Sequence, residues 1–137
     1  MTDGWSARPV VRGLASGDAM VSRTALSFLG DLDIRSGRVV GRSSDLCGRI
    51  VAGRVLVLPE TRGSAGAWRF LYQLKVHGTH PAALILHEMP DPSVTQGAFL
   101  AQVPVVVLLE DRFWASVTDR MPLRVDAEAG LVQPVAQ

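Results

Sequence analysis

Arg54-Val-Leu-Val-Leu-Pro59 is a continuous apolar run, which is typical of a strand buried on both faces. It leads into Glu60-Thr-Arg-Gly-Ser64, a polar stretch whose glycine favours a loop. The apolar residues then take a helical spacing, with Ala67, Leu71 and Leu74 at positions i, i+4 and i+7. The sequence therefore predicts a strand, a glycine-containing loop and a helix in direct succession.

The same alternation continues toward the C-terminus. Ala82-Ala-Leu-Ile-Leu86 predicts a second buried strand, Ser93–Gln102 a second helix, and Val103–Leu109 a third strand. A succession of strand, helix and strand implies right-handed crossovers and a parallel sheet. Leu123–Asp126 and Leu131–Val135 flank a short turn and predict a hairpin at the end of the chain.

The N-terminal part of the chain is rich in glycine and β-branched residues and predicts short strands. Val10–Leu14 and Ala19–Ser27 are predicted as strands separated by a turn at Ala15–Asp18. Shorter strands are expected at Arg38–Val40 and Gly48–Val51. The predicted fold class is therefore α/β, with a parallel α/β half and short antiparallel strands arranged in layers.

Length and composition favour one folded domain. The 137 residues are 47% hydrophobic and 20% charged, which is enough to bury a core without metal or disulfide support. We expect a single domain over residues 1–137, with an irregular start at 1–8 and a tail at 133–137. Fourteen Lys and Arg against thirteen Asp and Glu give a net charge of +1, which argues against a nucleic-acid partner.

The remaining composition bears on location and cofactors. No signal-like start and no apolar run near the ~20 residues of a membrane span occur, so a cytoplasmic protein without membrane contact is expected. Cys47 is the single cysteine and there are three histidines. A metal or cluster site made by this chain alone is therefore not expected.

The loop before the first predicted helix carries the main candidate chemistry. Gly63 and Gly66 would let the backbone approach a ligand closely. Ser64 falls near the predicted helix start, where unpaired N–H groups and the helix dipole favour an anion. A hydroxyl there could act as a base in a dry, cationic site, with Arg62 as the cation. The alternative is that Ser64 serves only as the helix N-cap.

At this loop the chain resembles a known family. Leu58-Pro59 and Arg62-Gly63-Ser64 are similar to the glycine–serine loop of the aconitase X small subunit, a swivelling domain. Further blocks of similarity keep the family's order and extend over roughly residues 10–110. These blocks are Ala25–Asp33, Arg35–Val40, Ile50–Pro59, Thr79–Ile85 and Gly97–Val106.

The resemblance implies a three-layer β/β/α swivelling domain that forms the small subunit of a heterodimeric hydro-lyase, a dehydratase. In this family the small subunit closes over a large subunit that holds an iron–sulfur cluster. The serine of the loop is the proton acceptor, which implies Ser64 as the catalytic base. The positions implied for binding the substrate are Ser27, Phe28, Gly30, Asp31, Arg62, Gly63, Ala65 and Gly66.

The substrate implied by the resemblance is a small anionic hydroxy acid. Known activities of the family include dehydration of cis-3-hydroxyproline and of mevalonate 5-phosphate. Asp31 stands where the family tends to have a second glycine, Ala65 replaces a second serine, and Ser44 stands in place of a histidine. A cis-3-hydroxyproline-like substrate is favoured here, with mevalonate 5-phosphate or another hydroxy acid as alternatives.

Two other functions are compatible with a layered fold of this kind. A phosphohistidine-carrying swivel domain would need a histidine before the second helix, and Asp91–Gly97 has none. A binding module that retains the fold without catalysis is the other alternative.

Several further side chains have a structural as well as a functional interpretation. Asp31 and Asp33 form either a carboxylate pair or solvated turn residues. His80 and His87 are expected to be ordinary loop histidines. The cluster Arg112-Phe-Trp114 is expected to pack in the core, with an exposed ring that anchors a partner as the alternative.

Overall fold

The computed structural model describes residues 4–62 and 65–135. Within these residues the strands are β1 (Trp5–Ser6), β2 (Arg8–Val11), β3 (Leu14–Val21), β4 (Leu26–Ser27), β5 (Val55–Leu58), β6 (Thr61–Arg62), β7 (Ala83–Leu86), β8 (Val105–Val107), β9 (Pro122–Asp126) and β10 (Leu131–Pro134). The helices are α1 (Ala67–Val76), α2 (Pro92–Ala101) and α3 (Asp111–Ser116). No described helix has both the length and the apolar character that a membrane crossing requires.

Most strands belong to one hydrogen-bonded network in the order β1-β10-β9-β3-β5-β7-β8-β2. The pairs β3–β5, β5–β7 and β7–β8 are parallel, and the other pairs of this network are antiparallel. Strand β3 pairs with β9 through Leu14–Asp18 and with β5 through Ala19–Val21. It therefore passes from an antiparallel sheet into a parallel one.

Two separate cores lie on the two faces of the parallel sheet. Leu56 and Leu58 of β5 pack in one core with residues of α1 and α2, such as Leu71. Val55 and Val57 face the other core, which contains side chains of β1, β9, β10 and α3. Because both faces of β5 are covered, its sequence is a continuous apolar run. The predicted α/β fold class with parallel and antiparallel parts is confirmed, and the layers are helices, parallel sheet and antiparallel sheet.

The prediction of an irregular start at residues 1–8 is wrong for residues 4–8. β1 pairs with β10, with Trp5 opposite Val132. The indole of Trp5 is buried and meets the ring of Phe113 edge-on, with centroids 5.0 Å apart. The predicted tail is likewise too long, since Gln133 and Pro134 belong to β10. Trp5–Ser6 and Leu131–Pro134 are held in place because they pair with each other and close the antiparallel sheet over the second core.

The predicted turn at Ala15–Asp18 is also wrong, because these residues form the first half of β3. One face of this half is exposed, so small polar residues are tolerated there. Close packing explains why position 17 is a glycine, since a Cβ there would lie 2.7 Å from the Gly53 carbonyl oxygen. The strands expected at Arg38–Val40 and Gly48–Val51 reduce to isolated bridges, such as Arg38 to Ile50.

The elements of the C-terminal half agree with prediction to within about two residues, the usual uncertainty of sequence-based boundaries. This holds for β5, β7, α1, α2 and the hairpin of β9 and β10. The third predicted strand is shorter than expected, as β8 covers Val105–Val107 only. Helix α3 is missing from the prediction, because six residues are too few to show a helical period.

Candidate functional site

The two segments singled out in the sequence begin side by side. Strands β4 and β6 pair in parallel, with Leu26 opposite Thr61 and Ser27 opposite Arg62. The Leu26 N–H also donates to the Glu60 carbonyl oxygen at 3.3 Å. The segment after Ser27 and the segment after Arg62 therefore leave one two-stranded unit together. This unit follows β5, so it lies at the edge where the parallel strands end, here called the carboxyl edge.

Asp31 holds the loop that follows β4. Its Oδ2 accepts a hydrogen bond from the Ser27 N–H at 2.9 Å, while its own N–H donates to the Ser27 carbonyl oxygen at 3.1 Å. A Cβ on Gly41 would lie 2.6 Å from Cγ of Asp31, so the carboxyl group packs directly against the backbone of Gly41. The carboxylate of Asp31 is thus used to shape the loop in this structure.

Asp33 does not form a carboxylate pair with Asp31. Its Oδ2 accepts from the Ser36 hydroxyl at 2.6 Å and from the Ser36 N–H at 3.1 Å. The hydroxyl and then the N–H of Ser36 lower the pKa of Asp33 below its ordinary value. The interpretation of both aspartates as turn residues is therefore supported by their hydrogen bonds.

The loop after β4 presents only some of its residues to a ligand. The side chain of Phe28, one of the positions implied for binding the substrate, is completely buried in the helix-side core. Apolar burial explains this position, because the ring supports the loop from beneath. Gly30 is exposed, has φ +114°, and has open space where a Cβ would stand. Leu29 is exposed, and its Cδ2 lies 3.9 Å from the Cβ position of Gly66.

The second segment runs from β6 into α1. Gly63 and Ser64 lie outside the described residues. Helix α1 starts at Ala67 with Gly66 at the N-cap position, and its first turn contains no acidic residue. Gly66 therefore stands at the N-cap position, and the first turn of α1 carries no carboxylate that would repel an anion.

Ser93 links the starts of the two packed helices and was not singled out from the sequence. Its hydroxyl accepts from the Trp68 N–H at 3.1 Å and donates to the Ala65 carbonyl oxygen at 3.2 Å. The bond to Trp68 satisfies one of the N–H groups that a helix start leaves unpaired. No local pattern could reveal this role, because the contacting residues are 25 and 28 positions away.

Asp45 fixes the turn between β3 and β4. Its carboxylate accepts from the Ser22 hydroxyl at 2.5 Å, the Arg23 N–H at 2.8 Å and the Thr24 hydroxyl at 3.2 Å. Burial acts to raise the pKa of Asp45, but these hydrogen bonds outweigh it and lower the pKa below the ordinary value. The turn delivers the chain to β4, so Asp45 helps to position Ser27.

The two loop histidines lie at opposite edges of the parallel sheet. The N–H groups of His87 and Glu88 both donate to the Pro59 carbonyl oxygen, at 3.2 and 3.0 Å, which sets the end of β7 beside the start of segment 60–66. His80 precedes β7, and its carbonyl oxygen accepts from Gly53 N–H. Burial and the charge of Lys75 lower the pKa of His80. His87 therefore lies at the carboxyl edge, and His80 lies away from it.

The aromatic cluster of α3 mainly serves packing. Phe113 is completely buried, in agreement with the core interpretation. Trp114 is half-buried, and its Nε1 donates to the Leu108 carbonyl oxygen at 2.8 Å. Arg112 is exposed and pairs with Glu110 at 3.0 Å.

The donor groups of this chain do not fit an iron–sulfur cluster. Such clusters are held by several cysteine thiolates, and Cys47 is the single cysteine of the sequence. Within residues 4–62 and 65–135, no group of three or more His, Cys, Asp or Glu side chains is arranged to hold a metal ion.

Comparison with known proteins identifies relatives of this chain in one family. A model of the aconitase X swivel domain family matches residues 4–134. The phosphomevalonate dehydratase small subunit of Methanosarcina acetivorans is 36% identical over 126 residues, which cover 92% of this chain and 87% of that protein. Its counterpart from Pyrococcus furiosus is 35% identical over 130 residues, covering 95% and 94%. The crystal structure of Thermococcus kodakaraensis aconitase X in its holo-form matches with a TM-score of 0.88 at 34% identity, covering 97% and 98%.

The layered α/β domain is classed as a swivelling domain by its match to this family over residues 4–134. The chain belongs to the aconitase X swivel domain family. The resemblance stated from the sequence is confirmed, and so is the prediction of a hydro-lyase subunit. The preference for a cis-3-hydroxyproline-like substrate finds no support, because the relatives named above are phosphomevalonate dehydratase subunits.

Proposed function

We propose that this chain is the small subunit of a phosphomevalonate dehydratase and acts on mevalonate 5-phosphate together with a large subunit. The names of its relatives support this substrate and this partner. The structural observation that carries the proposal is the parallel pairing of β4 with β6, which starts the Ser27 loop and the Arg62 segment side by side. One substrate can therefore contact both segments.

The chemistry of the substrate sets what the site must provide. Mevalonate 5-phosphate has a carboxylate, a phosphate and a hydroxyl on the second carbon from the carboxylate. Its dehydration breaks a C–H bond next to the carboxylate and the C–O bond of that hydroxyl, forms a C=C bond and releases water. One group must take the proton and another must assist the departing hydroxide. The substrate also carries two anionic groups that need cations or N–H donors.

Ser64 is our assignment for the group that takes the proton. It rests on the resemblance of Arg62-Gly63-Ser64 to the family's loop and on the position of this segment before α1. A serine hydroxyl is a weak base unless its alkoxide is stabilised by nearby positive charge. Arg62 is exposed and brings a positive charge to this region. The start of α1 adds the positive end of the helix dipole, and no acidic residue in the first turn offsets it.

The anionic groups of the substrate are assigned to the same segments. Arg62 can hold a carboxylate or phosphate with two parallel hydrogen bonds. Gly30 and Gly66 leave room for close approach of the substrate, since a Cβ at Gly30 would meet nothing within 4 Å. Gly63 and Ala65 complete the proposed binding surface through backbone groups, and Ser27 lies beside this surface, opposite Arg62 in the β4–β6 pair. Asp31 shapes this surface rather than contacting the substrate.

The large subunit completes the site in this proposal. The donor groups of the small subunit do not fit an iron–sulfur cluster, so we place that cluster in the large subunit. The small subunit supplies the base and anion-binding groups from its carboxyl edge. Neither chain alone then has a full set of catalytic groups.

The Ser64→Ala variant, assembled with the large subunit, tests this assignment. We expect kcat for mevalonate 5-phosphate to fall by at least about 10²-fold, the usual scale for a positioned acid–base group. Ser43→Ala is the matched control, because Ser43 is exposed and lies outside the proposed site. Full activity of Ser64→Ala would contradict the role of the serine. A wild-type complex that dehydrates cis-3-hydroxyproline and not mevalonate 5-phosphate would contradict the substrate.

A further inference from the structure

A groove with a volume of about 610 Å³ lies at the carboxyl edge, beside the candidate site. It is formed where β7 and β8 end and where the chain enters β2. The residues that matter here are Arg8, His87, Glu88, Met89, Leu109 and Glu110. None of these residues has a role in the proposed chemistry.

The groove has the composition of a protein interface. Met89 is 56% exposed and Leu109 is 64% exposed, although Leu108 directly before it is completely buried. Arg8, Glu88 and Glu110 add charges of both signs around these apolar side chains. Apolar anchors surrounded by charged residues are typical of surfaces that bind another protein. We propose that this groove forms part of the surface that binds the large subunit, an inference that rests on the proposed function.

The short distance from the candidate site to the groove supports the large subunit as the partner that binds there. Neighbouring strands are about 4.8 Å apart, so β8 lies roughly 10 Å from β5, with β7 between them. The backbone bonds from His87 and Glu88 to the Pro59 oxygen connect the groove directly to segment 60–66. A stable interface buries about 800 Å² per partner, which corresponds to a patch about 16 Å in radius. An interface of this size centred on the substrate beside Arg62 therefore also covers the groove.

The groove wall is held in place before any partner binds. The ring of His87 meets the indole of Trp114 edge-on, with centroids 5.7 Å apart. Trp114 is in turn anchored by its bond to the Leu108 carbonyl oxygen at 2.8 Å. A preformed surface loses little conformational entropy on binding, which favours tight association.

A second apolar patch provides an internal control. Leu14, Phe99 and Leu100 are exposed, and they line a groove at the opposite, amino edge of the parallel sheet. Phe99 is 70% exposed, more than either Met89 or Leu109. A large subunit bound at the carboxyl edge does not cover this patch. We therefore expect the groove with Met89 and Leu109 to contribute to assembly and the patch with Phe99 not to contribute.

The test measures the dissociation constant between the full-length small subunit and its natural large subunit by biolayer interferometry. We expect Met89→Glu and Leu109→Glu each to weaken binding by at least about tenfold, and Phe99→Glu to change it by less than about twofold. Thermal unfolding of each variant checks that the fold is retained. Unchanged affinity of both groove variants would overturn the inference, as would weakening by Phe99→Glu alone.

An activity assay separates this inference from the proposed function. At saturating large subunit, the groove variants should recover the wild-type kcat, because they weaken assembly without touching the substrate. A loss of kcat that saturation does not restore would contradict a pure docking role. If the wild-type complex assembles but does not dehydrate mevalonate 5-phosphate, the proposed function fails. The affinity contrast between groove and control variants still decides the docking surface in that case.

Discussion

Asp45 shows how one carboxylate can fix the turn that leads the chain into the candidate site. It accepts hydrogen bonds from the hydroxyls of Ser22 and Thr24 and from the Arg23 N–H, and so closes the turn that leads to β4. Each of these bonds is stronger when the carboxylate is ionised. Protonation of Asp45 therefore weakens the turn that positions Ser27.

The pH dependence of stability tests this role. Burial acts to raise the pKa of Asp45, yet the hydrogen bonds lower it overall, below the ordinary value of 3.8. The unfolded chain therefore binds a proton at higher pH than the folded chain. The stabilisation is complete well above pH 3.8 and is lost as the pH falls through the lower, folded-state pKa. We expect the free energy of unfolding to decrease over this acidic range.

The Asp45→Asn variant identifies the responsible group. Asparagine keeps a side-chain oxygen that accepts hydrogen bonds but carries no titrating charge. Urea unfolding of both proteins at neutral pH and at several acidic values should show a shallower decrease for the variant. Part of the decrease remains, because hydrogen bonds also lower the pKa of Asp119 against the effect of burial. Parallel curves for the two proteins would show that Asp45 does not contribute.

At the level of elements, α1 and α2 pack more closely than a side chain on Gly97 would allow. A Cβ on Gly97 would lie 2.7 Å from Cα of Trp68 and 3.0 Å from Cβ of Leu71. The first of these atoms belongs to the backbone and cannot rotate away. The helices would have to move apart, and the Ser93 bonds to Trp68 and Ala65 would be strained.

Gly97→Ala should therefore destabilise the protein. Alanine favours a helix by about 1 kcal/mol over glycine, but overpacking costs about 1–3 kcal/mol and more where backbone is met. We expect a net loss in the free energy of unfolding, measured by urea denaturation. Gln96→Ala is the control, because Gln96 is exposed on the same helix and should change stability little. A variant as stable as wild type would mean that the two helices separate without cost.

The elements that could be predicted from the sequence are those with a long, regular pattern. The apolar runs of β5 and β7 and the helical spacing in α1 are local signals that their packing reinforces. The Ser-Gly-Asp sequence in β3 is typical of a turn, and only the close approach of Gly17 to Gly53 explains the glycine. Helix α3 is too short to show a period.

The candidate site could be predicted in part. Resemblance indicated the segments around Ser27 and Arg62, and the pairing of β4 with β6 brings them together. The buried ring of Phe28, the hydrogen bond from Ser27 to Asp31 and the bridging hydroxyl of Ser93 could not be foreseen. Burial and contacts between distant segments depend on the folded arrangement, which local composition does not encode.

For the whole molecule, the first strand matters more than its length suggests. Trp5 is only 8% exposed and lies in the core beneath the parallel sheet, against Phe113. The edge-on contact of the two rings adds to the burial of the indole. β1 also pairs with β10, so the two ends of the described chain hold each other in place. Trp5 and Ser6, which look irregular in sequence, thus close the antiparallel sheet.

Trp5→Ala should therefore reduce the stability of the entire domain. Removing a buried large aromatic side chain typically costs about 3–5 kcal/mol, which is a large share of the stability of a domain this size. Trp5→Phe keeps a ring beside Phe113 and should cost less. Tyr72→Ala serves as the control, since Tyr72 is 42% exposed on α1. Urea unfolding followed by circular dichroism should rank the losses as Trp5→Ala, then Trp5→Phe, then Tyr72→Ala. If Trp5→Ala and Tyr72→Ala lose equal amounts, β1 is not part of the cooperative unit and the core closes without it.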